Sequence, residues 1–166
     1  HGYRHYEISN FAKPGRECAH NLCYWMCEEY LGLGASAHSY SGGRRFSFKR
    51  DIASYIDALE NVGSETEIID EDYDVLPSER LGEYVMLRLR LAEGIDTVEF
   101  ERRFGIQFER LFGKYLDVYT ENGFMQKRGN SYSLTLKGMY VSNYILSTML
   151  DFDEKAYGAI ATGLDK

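Results

Sequence analysis

The stretch from Ser78 to Leu150 leaves a folding chain few choices. Leu81, Tyr84, Val85 and Leu89 recur at helical spacing behind a serine that can cap the first turn, and Gly94 closes the segment. Asp96 or Thr97 opens a second, shorter helix that Gly105 ends. Phe108, Leu111, Phe112, Tyr115, Leu116 and Tyr119 line one face of a third, stopped by Asn122-Gly123. MQKRGNSYSLT then predicts two short strands around Gly129-Asn130. Leu136 to Leu150 predicts a last amphipathic helix with Tyr140, Val141, Tyr144 and Ile145 facing inward.

Three helices, a hairpin and a terminal helix are the winged-helix order, a fold that often reads DNA through its third helix. The third helix here carries Glu109, Arg110, Lys114, Asp117 and Glu121, a net charge of −1. Such a helix repels phosphates about as much as it attracts them, which argues against nucleic acid as a partner. The whole chain carries −7, and its placement is uneven. Residues 1–63 hold seven bases against seven acids, and residues 79–166 hold twelve against thirteen. The run SETEIIDEDYDVLPS (64–78) has six acids and no base, and reads as a solvated linker. The polar tail from Asp151 has little periodicity and reads as frayed and flexible.

The first 63 residues are less regular. Tyr3 to Phe11 is aromatic-rich and runs into Lys13-Pro14-Gly15, as a strand into a turn. Lys13 to Trp25 shows no sustained period and reads as a loop. Tyr30 to Gly34 is a short apolar run with glycines, consistent with a buried strand that Ser41-Gly42-Gly43 interrupts. Ile52, Tyr55, Ile56 and Leu59 predict a helix ending near Gly63. The fold class expected is therefore α+β.

Several motifs bear on chemistry. GLGASA (32–37) matches a dinucleotide fingerprint, but AHSYSGGRRF cannot continue as the helix whose amides would hold pyrophosphate. The glycines are better read as sites of close backbone approach. Cys18, Cys23 and Cys27 are odd in number and fit no trusted zinc or iron–sulfur spacing, so they read as free thiols and not as a metal site. No apolar run approaches the roughly 18 residues of a membrane span and no signal-peptide pattern opens the chain, which makes a cytoplasmic setting the expectation. The first residue is His1 rather than methionine, as in a piece of a longer chain. HNLCYW (20–25) sets His20 among an amide and two large aromatics. This is either an ordinary aromatic turn, with Asn21 as its cap, or an imidazole offered to heme iron beside rings that can meet a macrocycle.

The run YEISNFAKPGRECAHNLCYWMCEEYLGLGASAHSY (6–40) resembles the oxygen-independent coproporphyrinogen III oxidase family of radical-SAM proteins. Within it, HN-x-x-YW is similar to the heme chaperone branch. The likeness extends from residue 3 to about 150, because the segment from 78 resembles that family's C-terminal domain.

The resemblance implies a C-terminal piece: the last part of a radical-SAM (β/α) barrel over 1–63, the acidic linker 64–78, and a winged-helix-like domain over 79–150. It implies His20 as the heme-binding residue, with Asn21, Tyr24 and Trp25 as its supporting motif. It implies Gly34, Ala37 and His38 at the S-adenosylmethionine pocket. The family's [4Fe–4S] cluster uses C-x3-C-x2-C, which is absent here, so this chain holds no cluster ligand or catalytic residue and should be inactive alone. The sequence departs from the family in MCEEY (26–30), where a glycine-rich stretch is common, and at Phe48, where asparagine is frequent. The expected function is binding and delivery of heme to an acceptor protein. True coproporphyrinogen oxidation and a ligand-free winged-helix interaction module are the alternatives.

Overall fold

A computed structural model describes residues 1–61 and 68–150. The early elements are β1 (Arg4–Glu7), β2 (Asn10–Ala12), α1 (Ala19–Trp25), β3 (His38–Ser41), β4 (Arg44–Phe48), α2 (Ile52–Glu60) and β5 (Ile69–Asp74). They are followed by α3 (Pro77–Arg88), β6 (Ile95–Asp96), α4 (Thr97–Phe104) and α5 (Phe108–Glu121). The chain then runs through β7 (Met125–Arg128), β8 (Ser131–Leu134), α6 (Leu136–Tyr140) and α7 (Ser142–Leu150). The described residues form two compact units: 1–27 together with 80–150, and 28–61 with 68–79.

The first unit has the winged-helix element order, with a three-stranded antiparallel sheet ordered β6-β8-β7. Met125 pairs with Leu134 and Arg128 with Ser131 across the hairpin, while Ile95 pairs with Tyr132 on the other side of β8. Gly94 leads into β6 with φ +72, and a side chain there would run into the Tyr132 carbonyl, so glycine is required on both counts. Asp96 caps α4 by accepting from the Val98 and Glu99 N–H groups, each at 2.9 Å.

The helix faces read from the sequence are the faces buried. Leu81, Tyr84, Val85 and Leu89 meet Phe100, Phe108, Phe112 and Leu116 in one core. The Phe100 ring lies 4.9 Å from Phe104 and 5.0 Å from Phe108, tilted or edge-on, as aromatic quadrupoles prefer. Two expectations change here. Helix α3 opens at Pro77, whose missing N–H costs nothing at a first helical position, and the Glu79 carboxylate takes the Leu76 N–H at 2.9 Å. Ser78 thus lies inside the first turn, and the helix ends at Arg88 rather than running to Gly94.

The terminal helix is also broken, at Val141. That break resets the helical phase, so Ser142, Ile145, Leu146 and Met149 supply the inward face. Tyr140 (82 % exposed), Val141 (41 %) and Tyr144 (70 %) turn outward, and only Ile145 of the expected four is buried.

Residues 1–27 join this unit through the backbone. The Tyr3 to Phe11 segment is a hairpin, β1 against β2, rather than one strand. The Ile8 N–H donates to the Arg90 carbonyl and the Ala92 N–H to the Tyr6 carbonyl, both at 3.0 Å, with Glu7 opposite Leu91.

In the second unit β3, β4 and β5 form an antiparallel sheet in that order. Strand β5 falls within the acidic run expected as a linker, of which 64–67 lie outside the described residues. Two of its acids are met by Arg44 on β4, which reaches Asp72 at 2.6 Å and Asp74 at 3.9 Å. Of Tyr30 to Gly34 only Tyr30 pairs, bridging Tyr40, while Leu31 and Leu33 are exposed instead of buried. Helix α2 forms as expected, capped by Asp51, whose carboxylate accepts from the Ser54 N–H at 2.6 Å. The expected end near Gly63 and the tail from Asp151 lie outside the described residues.

Candidate functional site

The HNLCYW segment, expected as loop, is helix α1. No glycine, proline or β-branched residue interrupts Cys18 to Tyr30, so local propensity permits a turn that tertiary contacts then hold. The Leu22 N–H donates to the Cys18 carbonyl at 3.0 Å, and the Met26 N–H to the Leu22 carbonyl at 2.8 Å. The Tyr6 hydroxyl accepts from the Cys18 N–H at 3.4 Å, tying the helix start to β1. Asn21 sits within the helix and caps nothing; the capping position is Cys18, without a side-chain bond. Cys27 ends the turn with φ 57, a left-handed position that favours glycine, in the stretch where a glycine-rich sequence was the expected form.

His20 is exposed. Its ring meets Tyr24, one turn later, edge to face at 5.0 Å, and makes no hydrogen bond among the described residues. Trp25 is half-buried and carries the Arg90 guanidinium over its ring, 5.3 Å from the centroid. Arg88 reaches the Met26 sulfur with Nη1, and its Nη2 stands 3.7 Å from Glu99. His5, by contrast, is occupied: it stacks on Phe11 at 4.3 Å and its Nε2 donates to the Ile8 carbonyl at 3.1 Å.

Gly34, Ala37 and His38 lie together in the second unit. The Ala37 N–H donates to the Gly34 carbonyl at 3.1 Å, and the Gly34 N–H donates to the Tyr55 hydroxyl of α2 at 3.1 Å. His38 begins β3, exposed, opposite Ser47. Gly32 explains part of the glycine motif: a side chain there would collide with the His38 carbonyl and crowd the Ala37 Cβ. This is the close backbone approach read from the sequence, made by the chain itself.

Cys18 and Cys23 are exposed, while Cys27 packs against the core. No group of three or more potential metal ligands occurs among the described residues. Arg88 and Arg90 carried no signal in the sequence, and Tyr55 showed only as one residue of a helical face. Arg90 stands 65 positions from Trp25, and no periodicity links them.

The HemN C-terminal domain family matches residues 75–141. The heme chaperone HemW of Bacillus subtilis (strain 168) is 34% identical over 150 residues, covering 90% of this chain and 39% of that protein. The Escherichia coli (strain K12) heme chaperone HemW is 30% identical over 154 residues, again 90% of this chain and 38% of its own length. The chain belongs to the HemN and HemW family.

It spans about two fifths of the length of these curated relatives. Its fold is that of the corresponding part of coproporphyrinogen III oxidase (HemN) from Escherichia coli, described as a radical SAM enzyme. The TM-score is 0.65 at 18% identity, over 90% of this chain and 37% of that one. The α+β class and the family read from HN-x-x-YW and its flanks both hold. No helix of the described residues is long and apolar enough to cross a membrane.

Proposed function

We propose that this chain is the part of a heme chaperone that presents His20 to heme as cargo. The observation that carries the reading is the His20 ring: exposed, braced edge-on by Tyr24, and without a hydrogen bond of its own among the described residues. A neutral imidazole so placed has a lone pair to offer iron, and aromatic neighbours give flat apolar contact to a macrocycle. Relatives at 30–34% identity over 90% of this chain carry the name heme chaperone, whereas the solved oxidase is 18% identical, and this supports cargo binding over coproporphyrinogen oxidation. Delivery to an acceptor protein and a cytoplasmic setting belong to the same reading.

In the whole protein, Gly34, Ala37 and His38 would border the S-adenosylmethionine pocket. The Gly34 N–H is already committed to Tyr55, which leaves the exposed His38 as the group free to face a ligand. The cluster would rest on cysteines outside this chain.

The test is a heme titration of the full-length protein carrying His20→Ala, His38→Ala or neither, with coproporphyrinogen turnover assayed in parallel. His20→Ala should weaken binding and shift the Soret band, because the axial field changes, while His38→Ala leaves both unchanged. An unaltered spectrum and affinity in His20→Ala removes the axial role. Turnover of coproporphyrinogen by the wild type would favour the oxidase.

A further inference from the structure

Helix α1 buries none of its seven residues, and a helix that short is not stable by itself in water. Its place is therefore set at its ends. At the start, the Cys18 N–H donates to the Tyr6 hydroxyl at 3.4 Å. The far end is held by the stretch of chain that follows α3. The Arg90 guanidinium lies over the Trp25 ring, 5.3 Å from its centroid. Arg88, 6 % exposed, reaches the sulfur of Met26, the C-capping residue, with one nitrogen and faces Glu99 of α4 with the other. Cys27, next along, packs against the core.

The same stretch also grips the hairpin that precedes α1. The Arg90 carbonyl accepts from the Ile8 N–H and the Ala92 N–H donates to the Tyr6 carbonyl, both at 3.0 Å. Residues 1–27 thus share one compact unit with 80–150. Tryptophan is the best aromatic partner for a cation, and the planar guanidinium can stack on it. That contact fixes more than the distance of α1 from the domain. Five positions at 3.6 residues per turn put His20 about 140° round the helix from Trp25. Holding the indole against Arg90 therefore turns the imidazole away from the domain. His20 is accordingly exposed while Trp25 is half-buried.

We infer that Arg90 is a positioning residue: stacked on Trp25, it fixes the rotation of α1 on the winged-helix-like domain and so aims the His20 imidazole outward. The inference rests on the heme reading above and gives the domain a part in it, as the mount of the helix that meets the cargo. Arg90 acts through the helix and does not touch the ligand.

The test uses the full-length protein, with heme titrated and hydrogen exchange followed over residues 18–26. Arg90→Leu removes the cation and should weaken heme binding by between about twofold and thirtyfold, the range of a cation on an aromatic ring. Exchange in α1 should quicken while α3 and α5 keep their protection, and the Soret band should stay in place because His20 remains the ligand. Arg90→Lys restores a cation over the indole and should recover most of both losses. Weaker binding with α1 still protected would make Arg90 a direct contact to the cargo and overturn the positioning role. Faster exchange in α1 with affinity unchanged overturns it as well, as does a loss of protection that spreads to α3 and α5 and that Arg90→Lys does not repair. Each of these results leaves the heme reading standing. If the wild type binds no heme through His20, that reading falls and the role inferred for Arg90 falls with it.

Discussion

His20 and Tyr24 meet edge to face across one turn of α1, ring centroids 5.0 Å apart and planes at 89°. The contact biases the imidazole toward one rotamer without using either ring nitrogen. Replacing Tyr24 with leucine keeps helix propensity and bulk but removes the quadrupolar edge contact, worth about 0.5–1.5 kcal/mol. Heme binding by the full-length Tyr24→Leu protein should weaken by an amount in that range, with the Soret band where the wild type has it. A spectral change equal to that of His20→Ala would mean Tyr24 itself acts on the iron.

The two parts of the chain differ in what they bury. The continuous core is built from Leu81 to Met149, and residues 1–61 add only the partly buried Cys27 to it. Ile52 (67 % exposed), Ile56 and Leu59 on α2 instead face outward. We propose that 79–150 folds as an autonomous domain, while residues 1–63 depend on the rest of the longer protein. Hydrogen exchange on the fragment should show protection concentrated in α3, α5 and β8, since slow exchange tracks buried cooperative structure. Equal protection in residues 3–11 and 30–34 would count against that division.

The winged-helix part was legible because its signals are local and agree. Asp96 caps, Gly94 turns and the faces of α3 and α5 repeat at helical spacing, each pointing to the same packing. The last helix was misread because a phase reset at Val141 alters which face is buried without disturbing the apolar count. Helix α1 escaped notice because seven residues are too short for a period to emerge, and its support comes from Tyr6 and Arg90, distant in sequence. Strand β5 escaped for a related reason: six acids read as a solvated run until Arg44 of β4 is placed beside two of them. HN-x-x-YW pointed to His20 by its likeness to a family, while Arg90 could be found only once the chain had folded.

Tyr84 supplies a test that is independent of any ligand. Its side chain is 1 % exposed among Phe100 and Phe104, and its hydroxyl is buried without a partner among the described residues. Burial pushes its ionisation above the ordinary tyrosine range; Arg88 pulls back, Glu99 adds to the rise, and Arg103 over the ring opposes it. The unfolded chain ionises near the ordinary value of about 10. Below that pH both states keep the proton and the linkage contribution is constant. Above it the unfolded state loses the proton first, so stability falls as pH rises toward the folded-state value. Tyr84→Phe removes both this slope and a hydroxyl whose unpaired burial costs about 1–3 kcal/mol, while the ring stays in its contacts. Urea unfolding should therefore find Tyr84→Phe as stable as wild type or up to about 1 kcal/mol more stable at pH 8. Its advantage should widen between pH 10 and 11. A variant that loses stability at pH 8 would show that the hydroxyl has a partner in solution, and an identical alkaline decline in both proteins would show that Tyr84 does not set it.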